Sequence, residues 1–325
     1  MVALLDLPTT RKKRGLLYHK LDILPRFAKF PVVEREVCSQ IRYDYALMNL
    51  TYDLHSHSTA SDGSLSPREL LQHAKSRQID VLALTDHDNT AGLAEAQQAA
   101  DDLGLKLVPG VEVSVTWNAT TVHILGLGIH SQASALQQGL SKLREFRDWR
   151  GEEISRRLAK AGISGALEGA KQYASGALIS RTHFAHFLVE QGYAKDLRDV
   201  FKKYLVHNKP GYVPGQWAEL EAAVHWIQTA GGMAVIAHPA RYNLSASRLR
   251  QLLGEFKECG GVGLEVVSSS HSMEDCRSMA SHAQKFDFFA TCGSDYHGPE
   301  HAWVELGKIP PLPPGCHPIW SQWQL

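Results

Sequence analysis

The sequence predicts an α/β protein, a β/α barrel-like core interrupted by a mainly helical insertion. Three observations carry that expectation. From Tyr52 onward, short apolar runs alternate with helical patterns. Histidine and carboxylate residues recur where those runs end, the place where strand–helix folds keep their chemistry. Between about residues 150 and 230 the alternation gives way to helical sequence rich in Lys, Arg and aromatic residues.

The elements follow in order. Residues 1–48 mix short apolar pieces, Pro and the basic RKKR of positions 11–14 without clean periodicity. They are expected to form a disordered N-terminal extension, with Met48 as the native start. Residues 49–150 are assigned to the first part of the barrel. A strand near 50–55 runs into YDLHSHSTASDG (52–63), where His55 and His57 stand two apart and so share one face of an extended chain. An Asp-Gly turn at Asp62–Gly63 can swing a carboxylate back toward them. SPRELLQHAKSRQ reads as a helix with Ser66 as N-cap and Pro67 in its first turn. IDVLALTDHD is a strand buried on both faces with a polar end, and TAGLAEAQQAADDLG a helix closed by Gly104. LKLVPGVEVSV and TVHILGLGI are further strands, followed by a long helix over about 134–161 in which Arg147, Arg150, Arg156 and Arg157 cluster. Residues 151–230 form the helical insertion. Residues 231–325 return to the barrel through GGMAVIAHPARYN, GVGLEVVSS and FFATCGSDYHG.

Composition narrows the function. The 325 residues are 44% hydrophobic and 21% charged, with a formal net charge of zero. That excludes a general nucleic-acid coat, which carries a basic excess, but not an enzyme with a local basic pocket. The five cysteines are odd in number, scattered and without a C-x-x-C pair, as in a reduced cytoplasmic protein. No apolar run approaches the roughly 18–20 residues needed to span a bilayer, and no long apolar stretch follows RKKR to make a secretory signal. The unusual count is 17 histidines.

Nine ligand-type residues fall in order at the strand ends or in the turn behind the first: His55, His57, Asp62, His87, Glu112, His123, His238, Asp295 and His297. A lone histidine at a strand end is more often a hydrogen-bonded core or surface residue. The ordered set, with two pairs spaced two apart, argues for metal. It exceeds the three protein ligands of a catalytic zinc and would suit two or three ions. Imidazole and carboxylate together fit Mn, Fe or Zn without choosing among them. Asp53 and Asp86 either orient a neighbouring histidine or cap a turn.

DLHSHSTASDG, LALTDHD, PGVE, HILG, AHP and GSDYHG together resemble the ordered motifs of the PHP (polymerase and histidinol phosphatase) metallohydrolases, from about Tyr52 to His301. GALEGA, SRTHFAHFLVEQG, VFKKYL, KPGYVPGQW and HPARYNLS are similar to the branch that holds RNase AM and the 3′,5′-nucleoside bisphosphate phosphatases. The resemblance implies a distorted (β/α)7 barrel with a trinuclear site whose ligands are the nine residues named. Mn2+ is the expected metal, with Fe2+ or Zn2+ as alternatives. None of the nine positions departs from the pattern, and the first 48 residues lie outside it.

Glu112 can offer one oxygen to each of two ions, and Glu112 and His238 are expected to serve catalysis as well as metal binding. No G-x-S-x-G elbow or cysteine context suggests a covalent nucleophile. In SRTHFAHFL, Ser180 reads as an N-cap, which places Arg181 and His183 in a first helical turn suited to a phosphate. Both are expected to bind substrate. Lys209 and Tyr212 could touch a second phosphate and a base, although a structural loop is the plainer role for NKPGYVP. Arg241 and Tyr242 are candidates for the pocket rim. Phosphate sites at the metals and at Arg181 would select a 3′,5′-nucleoside bisphosphate, or a short single-stranded RNA with a 5′-phosphate degraded 5′→3′. The expected place is the cytoplasm, with no membrane and no obligate protein partner. The alternative is a histidinol-phosphate-type or general phosphomonoesterase. A replication-linked proofreading module would need polymerase domains for which no chain remains, and a metal store would need a more closed site.

Overall fold

The computed structural model describes residues 50–174, 176, 178–300 and 303–323. The expected N-terminal extension and Met48 lie outside them. Seven strands make one sheet whose spatial order is their sequence order: β1 (Tyr52–Asp53), β2 (Val81–Leu84), β3 (Lys106–Trp117), β4 (Thr120–Leu127), β5 (Met233–Ile236), β6 (Gly263–Ser268) and β7 (Phe289–Gly293). Beyond β1 the chain stays extended and meets the end of β7. Leu54 N–H donates to Cys292 O at 3.0 Å, Asp295 N–H to His55 O at 2.9 Å and His57 N–H to Tyr296 O at 2.9 Å. The sheet therefore nearly closes into a barrel, as the sequence predicted.

The distortion has a local cause. β4 runs antiparallel to both β3 and β5, while the other neighbours are parallel. Asn118 and Ala119, between β3 and β4, have φ of 44° and 61°. Two consecutive residues in the left-handed region make a tight hairpin turn that returns the chain beside itself. No helix intervenes there, so strand–helix alternation is broken at this one step.

The helices are built as their sequences indicate. In α1 (Pro67–Ser76) Ser66 and Glu69 form a capping box, and Leu70, Leu71 and Ala74 are buried. α2 (Leu93–Leu103) ends on Gly104 at φ 60°, a conformation glycine adopts without steric cost. α3 (Ser134–Lys160) joins two cores. Leu136, Leu140 and Leu143 pack on the barrel, whereas Ile154 and Leu158 belong to a second apolar cluster with Phe184, Leu188, Val200 and Leu205. That cluster is closed by α4 (Ala166–Tyr173), α5 (Arg181–Glu190) and α6 (Leu197–Val200), the last running into one π-turn at Phe201–Leu205. Each fully buried Leu or Phe contributes roughly 1.5–3 kcal/mol, which lets this small cluster hold the helices at the barrel mouth. α7 (Leu220–Thr229), α8 (Ala246–Glu258) and α9 (Met273–Phe286) cover the barrel exterior. Among the described residues, no helix is long and apolar enough to cross a membrane.

Candidate active site

The Asp-Gly turn explains why Gly63 follows Asp62. Gly63 N–H donates to Ser58 O at 3.0 Å, and a Cβ on Gly63 would lie 2.5 Å from His57 O. Only glycine allows the turn to fold that closely onto the histidine strand. The turn is braced from β2: Asp86 accepts from Ser58 N–H at 2.8 Å, Ser58 Oγ at 2.7 Å and Ser61 Oγ at 2.6 Å. Asp53 likewise accepts from Ser294 N–H and Gly307 N–H, at 2.8 and 2.9 Å. Of the two alternatives for Asp53 and Asp86, the structure selects the turn. Burial pushes each of them up to about 6.

All nine sequence-predicted donors converge on the C-terminal mouth of the barrel, around Glu112 of β3. Glu112 Oε1 lies 3.4 Å from His55 Nε2, 2.9 Å from His123 Nδ1 and 3.0 Å from His238 Nε2. Its Oε2 lies 3.4 Å from His57 Nε2 and 2.8 Å from His87 Nδ1. Asp295 Oδ1 approaches His55 and His57 at 3.5 and 3.2 Å. Asp62 Oδ1 approaches His87 and His297 at 3.9 and 3.3 Å. The donors form four overlapping groups: His57, Asp62, His87 and His297; His55, Glu112 and His238; His55, His57 and Asp295; and His87, Glu112 and His123.

The backbone and one further carboxylate aim these side chains. His238 and Asp295 sit at φ 29° and 56°, strained values for residues with a Cβ. His238 is held by its own N–H donating to Glu265 Oε2 at 2.5 Å, while Glu265 Oε1 takes His55 Nδ1 at 3.0 Å. A carboxylate can only accept, so Nδ1 of His55 carries the proton and Nε2 turns a lone pair into the cluster. Glu265 was missed in the sequence, although a fully buried acid inside the apolar strand GLEVVS was the available signal. Tyr242 braces the same corner, accepting from His123 N–H and donating to Ala237 O, both at 2.8 Å.

The donor set fits metal. His55 Nε2, His57 Nε2, His87 Nδ1, His238 Nδ1, Asp62 Oδ1 and Glu112 Oε2 are buried and, although several lie close to one another, none makes a well-directed hydrogen bond among the described residues. So many orphaned polar atoms in one place cost heavily unless a cation joins them. Burial, with His297 and His87 alongside, pushes His57 down to about 3, and burial pushes His123 down to about 4, which keeps both imidazoles neutral and able to donate a lone pair. For Asp62, Glu112 and Asp295 burial works against ionisation, but the histidines around them win and hold all three well below the usual carboxylate range. Burial also works against His297, yet Asp62 beside it raises the ring to about 9. Protons at such a site compete with a metal.

The cluster opens into a cavity of about 190 Å3 walled by arginines from α3, α5 and the turn after β5. Arg147 donates from Nε to Asp88 at 2.7 Å and from Nη2 to Ser114 Oγ at 2.9 Å. Among the described residues Arg150 donates only to Val213 O, at 3.1 and 3.3 Å. Both guanidinium groups lie over the Trp217 ring, at 4.9 and 5.2 Å. Arg181 lies over Phe201 at 5.7 Å, and Arg241 bonds Asp295 at 2.5 Å. Among the described residues no salt bridge joins Arg150 or Arg181 to a carboxylate. Burial, then Arg181 and Arg147, push Arg150 down to about 9, which leaves it charged at neutral pH. Burial and Arg147 lower Arg181 as well.

Ser180 caps α5 as expected: its Oγ accepts from Thr182 N–H at 3.2 Å, and Ser180, Arg181 and Thr182 face the cavity. His183 is placed differently. It is buried, it does not line the cavity, and its Nδ1 accepts from Ser180 N–H at 3.1 Å, the reciprocal half of the capping box. The NKPGYVP loop is structural in form, with Lys209 exposed and the Tyr212 and Val213 carbonyls held by Arg157 and Arg150. Sequence reasoning noted the α3 arginines but gave them no role; the spacing of three between Arg147 and Arg150, one face of a helix, was the signal.

A nearly closed barrel with histidine and carboxylate donors at its mouth defines a class, and the chain belongs to it: the PHP domain family model matches residues 53–269. Among the relatives, a 3′,5′-nucleoside bisphosphate phosphatase of Chromobacterium violaceum is 49% identical over 271 residues, 83% of this chain and 95% of that protein. The 5′-3′ exoribonuclease Rnm of Escherichia coli is 44% identical over 275 residues, 84% of this chain and 94% of that protein. A solved structure described as an amidohydrolase from Chromobacterium violaceum, with bound sulfate and no metal, superposes with a TM-score of 0.81 at 48% identity, covering 84% of this chain and 95% of its own. One assigned as a metal-dependent phosphoesterase of Bifidobacterium adolescentis gives 0.70 at 26% identity, over 84% of this chain and 94% of its own.

Proposed function

We propose that this chain is a metal-dependent phosphoesterase that removes the 3′-phosphate from 3′,5′-nucleoside bisphosphates and degrades short 5′-phosphorylated RNA from its 5′ end. One observation carries the reading: a mixed imidazole–carboxylate cluster opens directly into a cavity lined by four arginines, two of them without a carboxylate partner among the described residues. A general phosphomonoesterase needs no such wall. A substrate with a second phosphate a nucleoside away uses it.

His55, His57, Asp62, His87, Glu112, His123, His238, Asp295 and His297 would hold three divalent ions, Mn2+ in our assignment. Bound there, such ions neutralise phosphate oxygens and acidify water beside the scissile phosphorus. Glu112 turns one oxygen toward His55, His123 and His238 and the other toward His57 and His87, as a bridging ligand must. Arg150, Arg181 and the amide end of α5 bind the 5′-phosphate. Arg241, now on Asp295, can exchange part of that bond for the scissile phosphate. His183 acts by holding the α5 cap. None of the four described cysteines lines the cavity, in keeping with direct hydrolysis rather than a covalent enzyme intermediate. The recognition insertion is the cluster of helices from Ile154 to Val213; the expected boundary at 230 falls beyond it, because α7 packs on the barrel core. The enzyme acts in the cytoplasm without an obligate protein partner.

The test is a time course of Mn2+-loaded protein on adenosine 3′,5′-bisphosphate and on a 5′-phosphorylated oligoribonucleotide, beside His57→Ala. Phosphate from the first and mononucleotides from the 5′ end of the second, both lost in the variant, support the reading. Equal activity on simple phosphomonoesters overturns the two-phosphate part of it.

A further inference from the structure

A second cavity lies beside the first. The two share no lining residue but have neighbours in sequence: Asn89 lines the second two positions after His87, Leu178 lines it two positions before Ser180, and Arg144 lines it one helical turn before Arg147. Between them stands Asp88, whose carbonyl accepts from Arg144 at 3.0 Å while its carboxylate takes Arg147 at 2.7 Å.

The two cavities differ in size and chemistry. The catalytic one encloses about 190 Å3, the second about 680 Å3. Small-molecule sites run to roughly 300–1,000 Å3, so only the second has room for a further whole nucleoside. Among the described residues no carboxylate lines it. Its apolar surface includes Leu107, Pro109 and Ile129, and its polar groups are amides, hydroxyls, one imidazole and the Arg144 guanidinium. Apolar side chains beside amide and hydroxyl groups suit a nucleobase, an apolar face with a polar edge, and a single guanidinium suits one bridging phosphate.

We propose that this cavity binds the nucleoside on the 3′ side of the scissile phosphate, so that it separates RNA from mononucleotide substrates. The inference rests on the function proposed above. With the 5′-phosphate at Arg150 and Arg181 and the scissile phosphate at the donor cluster, water attacks phosphorus and the P–O3′ bond breaks. The 5′ nucleotide leaves on its 3′-oxygen, and the next nucleoside, which keeps that phosphate on its 5′-oxygen, must extend out of the catalytic cavity. The turn carrying His87 and Asn89 borders both spaces. A bisphosphate, which ends at its 3′-phosphate, never reaches the second cavity.

Ala94 offers the cleanest test, because it lines the cavity from an exposed position on α2 where a larger side chain disturbs no core. Ala94→Trp should raise KM for a 5′-phosphorylated tetraribonucleotide about tenfold, the loss of one good base contact, and leave kcat/KM on adenosine 3′,5′-bisphosphate within about twofold. Gln132→Glu, exposed at the rim, should raise the RNA KM by a smaller factor that shrinks as salt is added. Unchanged RNA kinetics in both variants overturn the inference and leave the proposed function standing. An equal loss on both substrates also overturns it, since the cavity would then serve no RNA-specific purpose. A wild-type protein inactive on the bisphosphate and on RNA would instead sink the parent reading.

Discussion

The donor cluster and the arginine wall are neighbours built on opposite principles. At the cluster, charge is internally balanced: each buried carboxylate faces two or more imidazoles, and strand ends and turns fix every donor. At the wall, positive groups accumulate. Among the described residues, Arg147 and Arg241 have Asp88 and Asp295, whereas Arg150 has only a carbonyl and Arg181 the face of Phe201. A balanced cluster with orphaned lone pairs is matched to a cation, and an unbalanced wall to an anion. On the function proposed above, the difference separates two jobs within one cavity, with hydrolysis on the barrel and selection on the helices.

The largest effect should come from the cluster. Glu112→Gln keeps shape but removes the one carboxylate that reaches five histidines, and should cut kcat by about 10³-fold or more on every phosphoester tested. Activity within tenfold of wild type would show that Glu112 is not central. Arg181→Ala should act on the other half only, lowering kcat/KM on a 3′,5′-bisphosphate by about a hundredfold while sparing a nucleoside 3′-monophosphate. The two variants should also separate in thermal melts. Mn2+ should raise the Tm of Arg181→Ala but not of Glu112→Gln, because only ligands that bind the folded state stabilise it. Equal losses on both substrates in Arg181→Ala would erase the division of labour.

The same division governs how much could be read from the sequence. His-x-His at 55–57 is legible because an extended chain places residues two apart on one face. Asp-x-His at 295–297 is legible by its place just past β7, although Asp295 at φ 56° breaks the strand alternation and reaches the cluster by a bend instead. Ser66, Ser180 and Gly104 were legible as caps for an equally local reason, and each caps the helix expected of it. The hairpin at Asn118–Ala119 was not, since two apolar runs with a short polar link leave open whether a helix lies between strands. Arg150 and Glu265 were hidden for a different reason. Each matters through residues far away in sequence, Arg150 beside Arg181 and Glu265 beside His55, and no local pattern reports such a meeting. His183 shows the converse. Its position in the first turn of α5 was legible, but whether its ring faced the cavity or the helix cap was decided by packing.

A smaller effect sharpens the cluster side. Glu265 touches metal chemistry only through His55 Nδ1 and the His238 backbone, so Glu265→Gln should weaken Mn2+ binding by about 10–100-fold, the usual cost of losing a partner that orients a ligand. Saturating Mn2+ should restore most of kcat. Failure of excess metal to rescue would make Glu265 a direct participant.

The smallest expected effect lies at the junction of the two regions, in the cap of α5. Ser180→Ala removes an acceptor for Thr182 N–H, a loss of about 1 kcal/mol of helix stability. The residue after the cap is Arg181, so fraying there should raise KM for the bisphosphate a few-fold with kcat unchanged. Ser180→Asp separates stability from recognition. Aspartate caps as well as serine, so stability should return, yet its carboxylate stands at the end of the cavity where the 5′-phosphate is proposed to sit. Like charges repel, and KM should rise further than in the alanine variant, most strongly at low salt. A Ser180→Asp enzyme with wild-type KM would place the phosphate elsewhere and leave the α5 arginine a structural cation.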